Sequence, residues 1–214
     1  MILYLIIHLI HNEYRYGNKV IILQKESISE ILYSDIKNLF CSQTGYTAAF
    51  WAKKIGSLPS ILSTEIIRNP KKTWVVSINQ IEPKALINEK FVFCDQGLIH
   101  RAYFTDEQLT DCPRIITSID YTYDQLNTFL PSIIAIGTTY TNQPIIKINS
   151  PYDCYVTHNN ITIQFGKNSF PIDQEVIKNV IAQEVQTYKN KPCPIADIRF
   201  KNQIILHRPK VVPS

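Results

Sequence analysis

The chain has 214 residues, a formal net charge of +4 and only 19% charged residues. This length suits one large domain or two of about 100 residues each, both able to bury a core, and we expect two. The weak, scattered charge gives no electrostatic case for nucleic acid or an anionic membrane surface as a partner. Abundant tyrosine and isoleucine favour folded, β-rich domains.

The N-terminal segment MILYLIIHLI is apolar but short. A bilayer span needs about 20 residues, and the basic flank of a signal peptide is missing. Two interpretations follow: an ordinary buried strand, or the outer end of a membrane helix that begins upstream of Met1. The residues alone do not decide between the two.

Residues 19–82 predict the element order strand, helix, helix, strand, strand. Apolar residues recur at helical spacing in the two helices, and Asn69-Pro70 marks a turn between the last two strands. This order predicts a small α+β domain with a three-stranded sheet and both helices on one face. The predicted strands cover 19–23, 61–67 and 73–81, and the helices cover 27–40 and 47–58.

Residues 83–209 predict a second, mixed or antiparallel β domain with a long packing helix, and residues 210–214 predict a tail. Asp95-Gln96-Gly97 forms a tight turn between apolar runs. A helix over 121–136 is expected to be interrupted by Pro131. The long helix, 171–188, is expected to place both Val176 and Ile177 on its inner face. Short strands are predicted at 144–149, 154–158 and 161–165, with a closing hairpin over 196–209.

No local signature of a catalytic, nucleotide or metal site is present in the sequence. The five histidines and five cysteines lack C-x-x-C or H-E-x-x-H spacing, and there is no P-loop or G-x-S-x-G. Asp95 is interpreted as a turn residue and Asp197 as a surface ion beside Arg199. We expect no enzymatic activity, cofactor, metal or small-molecule substrate. A hydrolase whose cysteine and histidine meet only in space is a remote alternative.

Three stretches together resemble the FtsQ family of bitopic bacterial cell-division proteins, called DivIB in some lineages. LPSILSTEIIRNPKKTWVVSINQIEPKALI is similar to the family's Leu-Pro, Arg-x-x-Pro and V-x-V-x-E-R-x-P-x-A pattern, although Gln80 and Ile81 replace the Glu-Arg pair. FVFCDQGLIH resembles a one-residue-shortened V-D-x-x-G-x-(I/V)-F turn. ITIQFGK, the long helix and ADIRF resemble the I-x-L-G, helix and I-D-L-R-(Y/F) ending. The matching positions of the first stretch are Leu58, Pro59, Arg68, Pro70, Val76, Ile78, Pro83 and Ala85.

The resemblance implies a POTRA domain over 19–82 and an FtsQ-type β domain over 83–209. It also implies a single-pass protein of the cytoplasmic (inner) membrane, with its globular part in the periplasm or outside the cell. Residues 1–18 would then be the end of the membrane anchor and its juxtamembrane segment. The implied role is a divisome scaffold for FtsB/FtsL-type division proteins, which add a strand to the last hairpin. The partner-binding residues carried over are Phe200, Lys201, Asn202, Gln203, Ile204, Ile205 and Leu206.

Two alternatives to this docking edge stay open. Ile204, Ile205 and Leu206 fit a plain core strand whose edge is blunted by the following His-Arg-Pro. A POTRA-containing periplasmic module of an outer-membrane protein assembly or secretion system would bind strands by the same edge chemistry. Such systems repeat the POTRA unit or continue into a barrel, and neither pattern is visible. For the docking edge, Ile205→Pro is expected to remove a ladder donor and abolish partner binding.

Overall fold

The computed structural model describes residues 20–23, 27–42, 46–70, 73–158, 161–170, 172–187, 195–201 and 203–207. Within these ranges the chain is α+β, as the sequence predicts, with twelve strands and five α helices. It divides into two compact units, Met1–Glu82 with Ile99–Gln108, and Pro83–Leu98 with Leu109–Ser214. The predicted anchor segment and tail, residues 1–18 and 210–214, lie outside the described residues.

The first unit has the predicted strand-helix-helix-strand-strand order. Its three-stranded sheet has the order β1-β3-β2, with β1 parallel and β2 antiparallel to β3. Both helices start at side-chain caps: the Ser29 hydroxyl accepts the Leu32 N–H, and the Thr47 hydroxyl accepts the Phe50 N–H. The elements are β1 Val20–Ile22, α1 Glu30–Ser42, α2 Ala48–Ile55, β2 Ile61–Arg68 and β3 Trp74–Gln80.

The core of the first unit lies between the helices and one face of this sheet. Phe40 of α1 stacks on Trp51 of α2 with ring centroids 4.4 Å apart, and Phe40 also lies 6.3 Å from Trp74 of β3. All three rings are buried. Aromatic pairs at these distances add to the stabilisation that burial alone provides, so the rings join the three elements.

A segment that follows Leu98 in sequence belongs to the first unit, a return that the sequence does not predict. It contains a 3₁₀ helix, Arg101–Tyr103, whose Tyr103 hydroxyl donates to Asp35 Oδ2 at 3.1 Å. The Gln80 amide donates to the Tyr103 carbonyl oxygen at 3.2 Å and accepts from Gln108 at 2.7 Å. Gln80, which stands where the FtsQ pattern has glutamate, therefore ties the returning segment to β3.

The second unit is built on a nine-stranded mixed sheet within the described residues. The strand order is β12-β11-β10-β9-β8-β7-β4-β5-β6. The pairs β4/β7, β7/β8 and β10/β11 are parallel, and the pairs β4/β5, β8/β9, β9/β10 and β11/β12 are antiparallel. The helix α3, Asp106–Leu109, lies mostly in the Ile99–Gln108 segment of the first unit. The elements of the second unit are β4 Ala85–Ile87, β5 Phe91–Cys94, β6 Gly97–His100, β7 Arg114–Thr117, α4 Tyr123–Tyr140, β8 Ile145–Ser150, β9 Asp153–His158, β10 Ile161–Phe165, α5 Gln174–Thr187, β11 Ile195–Asp197 and β12 Ile205–His207.

Helix α4 packs on one face of this sheet and continues through Pro131, so the predicted interruption is wrong. A capping box between Thr122 and Gln125 starts the helix. Pro131 is exposed, while its neighbour Leu130 and the next-turn Ile133 are fully buried in the core. The proline removes one backbone hydrogen bond, but the packing of the buried residues on either side keeps the helix intact.

Helix α5 presents only one of the two predicted inner-face neighbours to the core. Ile177 is buried, whereas Val176 is 48% exposed. Adjacent residues point about 100° apart on a helix, and at this pair the core lies on the side of Ile177 and leaves Val176 on the solvent side. Placing Val176 on the inner face was therefore wrong.

No helix among the described residues has the length and apolar content needed to cross a bilayer.

Candidate partner-docking edge

Strand β12 is the outermost strand on one side of the described sheet. It runs antiparallel to β11, with Ile195 opposite His207, Ala196 opposite Leu206, and Asp197 opposite Ile205. The predicted closing hairpin is therefore present. Within the part of the chain that the structure describes, no strand lies on the outer side of β12, and unpaired backbone groups on such an edge can accept another strand.

The side to which the backbone N–H and C=O groups of β12 point follows from the hydrogen bonds between β10 and β11. The Ile198 N–H donates to the Gln164 carbonyl oxygen of β10 at 2.9 Å. Because backbone groups alternate direction along a strand, Ala196 and Ile198 point to β10, and Ile195 and Asp197 point to β12.

The same alternation decides which backbone groups form the free edge. Ile205 and His207, which lie opposite Asp197 and Ile195, direct their N–H and C=O groups inward. Leu206 directs its N–H and C=O groups away from β11, toward the side where no described strand lies. The expectation for Ile205→Pro changes accordingly, because that proline would break the hairpin itself rather than the outer edge.

The side chains of the predicted partner-binding residues divide between core and surface. Phe200 is 49% exposed and Ile205 is 37% exposed. Ile204 and Leu206 are partly buried and pack against the core of the second unit. The hairpin thus combines features of both sequence interpretations: alternate residues hold the strand on the core while the others face solvent. Lys201 and Gln203 are exposed, and Asn202 lies outside the described residues.

Asp197 is buried, so its interpretation as a surface ion is wrong. Its side chain has no exposed surface. Oδ1 accepts the Arg199 backbone N–H at 3.0 Å and Nε at 2.9 Å, and Oδ2 accepts Nη2 at 2.7 Å. Nε2 of His207 lies 3.2 Å from Oδ2. Burial alone would raise the pKa of Asp197, but the bonds from Arg199 and His207 hold that pKa below its ordinary value.

A second carboxylate, Asp153 of β9, extends this polar cluster across the sheet. Its Oδ1 accepts from Gln164 Nε2 at 2.5 Å and lies 3.5 Å from Arg199 Nη1, while Oδ2 accepts from Asn149 at 3.0 Å. Burial would raise the pKa of Asp153, and these donors lower it overall. Gln164 Nε2 also lies 2.7 Å from the Tyr155 hydroxyl oxygen. The cluster therefore links β8, β9, β10, β11 and β12 on the face opposite α4.

Sequence reasoning missed most of this cluster because its members are far apart in the chain. Asp197 and Arg199 alone gave a local signal, since residues two apart on an extended chain point to the same side. Asn149, Asp153 and His207 carry no comparable signal. Only the pairing of five strands brings them together.

An open trough lies on the same face of the sheet, with a volume of about 760 Å³. The described residues of its lining contain one cation, Lys147, with Tyr155, Thr157 and Thr162, and none of them is a carboxylate, cysteine or histidine. The lining offers neither a nucleophile with a base nor a set of metal ligands.

The buried thiols of the second unit are held in the protonated state. Burial, with a smaller contribution from neighbouring Cys112 and Asp95, raises the pKa of Cys94 to about 12. Burial also raises the pKa of Cys154 to about 12. A thiol is nucleophilic as the thiolate, so these two sites are poorly suited to covalent catalysis. The described residues contain no group of three or more side chains able to hold a metal ion.

Comparison with known protein families and curated proteins finds no match for this chain. No family model matches the chain, and no curated protein matches it. The resemblance to FtsQ therefore depends on the order and spacing of the motifs quoted above.

Proposed function

We propose that this chain is a non-enzymatic cell-division scaffold of the FtsQ/DivIB type. It binds FtsB/FtsL-type membrane division proteins, mainly by strand addition at its C-terminal edge. The observation that carries this proposal is the outward direction of the Leu206 backbone on an outermost strand. In this proposal an N-terminal anchor holds the protein in the cytoplasmic membrane, and both globular units lie outside the cytoplasm.

The chemistry of the hairpin supports strand addition over plain burial. An added strand gains affinity from main-chain hydrogen bonds and specificity from alternate side chains. Ile204 and Leu206 anchor β12 on the core, so the edge is formed before a partner arrives, which reduces the entropy lost on binding. Ile205 and Phe200 leave apolar surface exposed beside that edge.

The first unit supports the same family assignment independently of the hairpin. Its strand-helix-helix-strand-strand order is the order of the POTRA unit that the resemblance implies. The alternative of an outer-membrane assembly or secretion module shares this unit, so the unit alone does not separate the two functions. The identity of the bound partner separates them.

The proposal predicts that Ile205→Lys weakens partner binding at least about tenfold, because a lysine on an edge strand opposes strand addition. The full chain in detergent is titrated with the purified FtsB/FtsL-type complex of the same organism. Ile116→Lys is the matched control, since Ile116 is 50% exposed on β7, in the interior of the sheet. Its affinity is expected to equal that of the unchanged chain.

A second variant tests the main chain. Leu206→Pro removes the outward N–H and leaves the inward bonds of Ile205 and His207, so it is expected to lose binding. Because this variant also loses the Leu206 packing on the core, Leu206→Ala, which loses the packing but keeps the N–H, is the matched control and is expected to bind more tightly than Leu206→Pro. Unchanged affinity in both Ile205→Lys and Leu206→Pro would exclude the edge as the docking site. Binding of unfolded outer-membrane protein strands, with none to the FtsB/FtsL-type complex, would favour the assembly or secretion module instead.

A further inference from the structure

The burial of Asp197 is unusual for a residue beside an edge strand. A carboxylate with no exposed surface loses its hydration, and the loss is offset only when its oxygens are fully hydrogen-bonded. Three of its bonds come from Arg199, two residues along the chain. The remaining contact comes from His207, which lies on β12.

That remaining contact joins the edge strand to the strand beneath it. His207 Nε2 and Asp197 Oδ2 are 3.2 Å apart, across the β11/β12 pair and on the face opposite the core. An ionised carboxylate only accepts hydrogen bonds, so Nε2 must carry the proton. In the neutral imidazole, a hydrogen bond at this contact requires the tautomer with the proton on Nε2.

We propose that Asp197 is a positioning residue for docking, which fixes the alignment of β12 through His207 although it cannot itself touch a partner. This inference rests on the proposed function of the edge. Asp197 holds His207 on one side of β12, and the partly buried Leu206 holds the strand on the other side.

The need for such a residue follows from the size of the edge strand. β12 has only three residues, of which two direct backbone bonds to β11. A strand this short opens locally at small cost, and an opened edge cannot template a partner strand. A charge-assisted hydrogen bond at its last residue opposes that opening.

Arg199 has a related consequence for the docking surface. Its guanidinium donates twice to Asp197 and approaches Asp153, so its charge is engaged within the chain. Asp197 raises the pKa of Arg199 further. The proposal therefore gives Arg199 a part in the internal clamp that holds Asp197 ionised beneath β12.

Variants of His207 test this inference with less risk to folding than variants of the buried Asp197. His207 is half exposed, so its replacement leaves no cavity in the core. His207→Leu removes the donor, whereas His207→Gln keeps an amide N–H at a similar distance. Both are prepared in the full chain, with Ile116→Lys again as a surface control.

Three readouts are expected to agree. In the unchanged chain, nitrogen NMR of the imidazole shows the Nε2-protonated tautomer. In His207→Leu, the backbone amides at positions 205 and 207 are expected to exchange on the order of tenfold faster than in the unchanged chain. The exchange rates of the amides in β8 to β10 are expected to stay the same. Affinity for the FtsB/FtsL-type complex falls by a similar factor, and His207→Gln restores both exchange protection and affinity.

The outcomes separate the inference from the proposed function. A proton on Nδ1 alone, or unchanged edge exchange in His207→Leu, overturns the positioning role. Faster exchange with full affinity also overturns it, because docking would then not depend on the alignment. Absence of binding by the unchanged chain overturns the proposed function and with it the docking role, whereas the exchange measurement still decides whether Asp197 clamps the edge.

Discussion

At the scale of single residues, Asp153 and Asp197 dominate the electrostatics of the open sheet face. Both carboxylates are largely withdrawn from water, yet hydrogen-bond donors hold their pKa values below the ordinary value of an aspartate. Each folded pKa is thus lower than the unfolded one. Such a group stabilises the fold above its unfolded pKa, and its contribution is lost as the pH falls through the folded pKa.

We predict that the second unit keeps its stability from pH 7 to about pH 5 and loses it progressively below that. Denaturant unfolding is followed by amide exchange in β9 to β11, where the two carboxylates are bonded. Asp153→Asn, which no longer titrates, is expected to make the loss at low pH shallower. Equal steepness in this variant and in the unchanged chain would contradict the assignment to Asp153.

The cysteines supply a second prediction at this scale. At a pKa of about 12, roughly one thiol in ten thousand is ionised at pH 8. Iodoacetamide at pH 8 is therefore expected to modify the exposed Cys41 and to spare Cys94 and Cys154 until denaturant is added. Peptide mass spectrometry measures each site. Rapid modification of Cys154 in the folded protein would revive the hydrolase alternative.

At the scale of elements, two glycines mark where neighbouring segments approach most closely. A Cβ on Gly166, just after β10, would lie 2.8 Å from the Tyr152 Cα and 2.9 Å from its carbonyl oxygen. A Cβ on Gly137 of α4 would lie 2.5 Å from the Ile146 Cδ1. The first obstacle is backbone, and the second is the end of a side chain that can rotate.

We predict that Gly166→Ala lowers the free energy of unfolding by about 1–3 kcal/mol, because the backbone must shift. Gly137→Ala is the matched comparison. There the strain is offset by the preference for alanine over glycine in a helix, about 1 kcal/mol, so a smaller change is expected. Chemical denaturation measures both. A larger loss in Gly137→Ala would show that α4 and β8 cannot adjust.

At the scale of the whole molecule, the first unit is discontinuous in sequence. Ile99–Gln108 belongs to it although Pro83–Leu98 belongs to the second unit. The buried Phe104 and the hydrogen bonds of Tyr103 and Gln108 hold this segment within the first unit. A fragment that ends at Glu82 would leave Gln80 without these partners.

Tyr103→Phe tests the contribution of the returning segment. Loss of the hydroxyl that donates to Asp35 is expected to lower the free energy of unfolding of the first unit by about 1 kcal/mol. Tyr152→Phe is the control, since Tyr152 is 55% exposed. Urea unfolding with fluorescence of Trp51 and Trp74 reports on this unit. No change in Tyr103→Phe would mean that water replaces the Tyr103 hydroxyl as the donor to Asp35 at no net cost.

Local sequence patterns determined the order of elements in the first unit and the presence of the closing hairpin. Helical spacing, the Ser29 and Thr47 caps and the Asn-Pro turn act within a few residues, so they are visible in the sequence. Pro131 misled the prediction because its cost is local, whereas the packing that offsets it comes from β8 to β10.

Only the tertiary structure decided the features on which docking depends. The sequence did not predict the short strand β7, because four residues after a proline have the pattern of a loop. These residues form a strand because β4 pairs with them on one side and β8 on the other. The burial of Asp197 and the outward backbone of Leu206 both depend on which strands lie beside β11. The sequence by itself determined that an apolar hairpin forms over the last predicted strands. The neighbouring strands decided which of its backbone N–H and C=O groups stay free. The reason is that these groups alternate in direction along a strand, so only the position of the paired strand shows which of them are bonded.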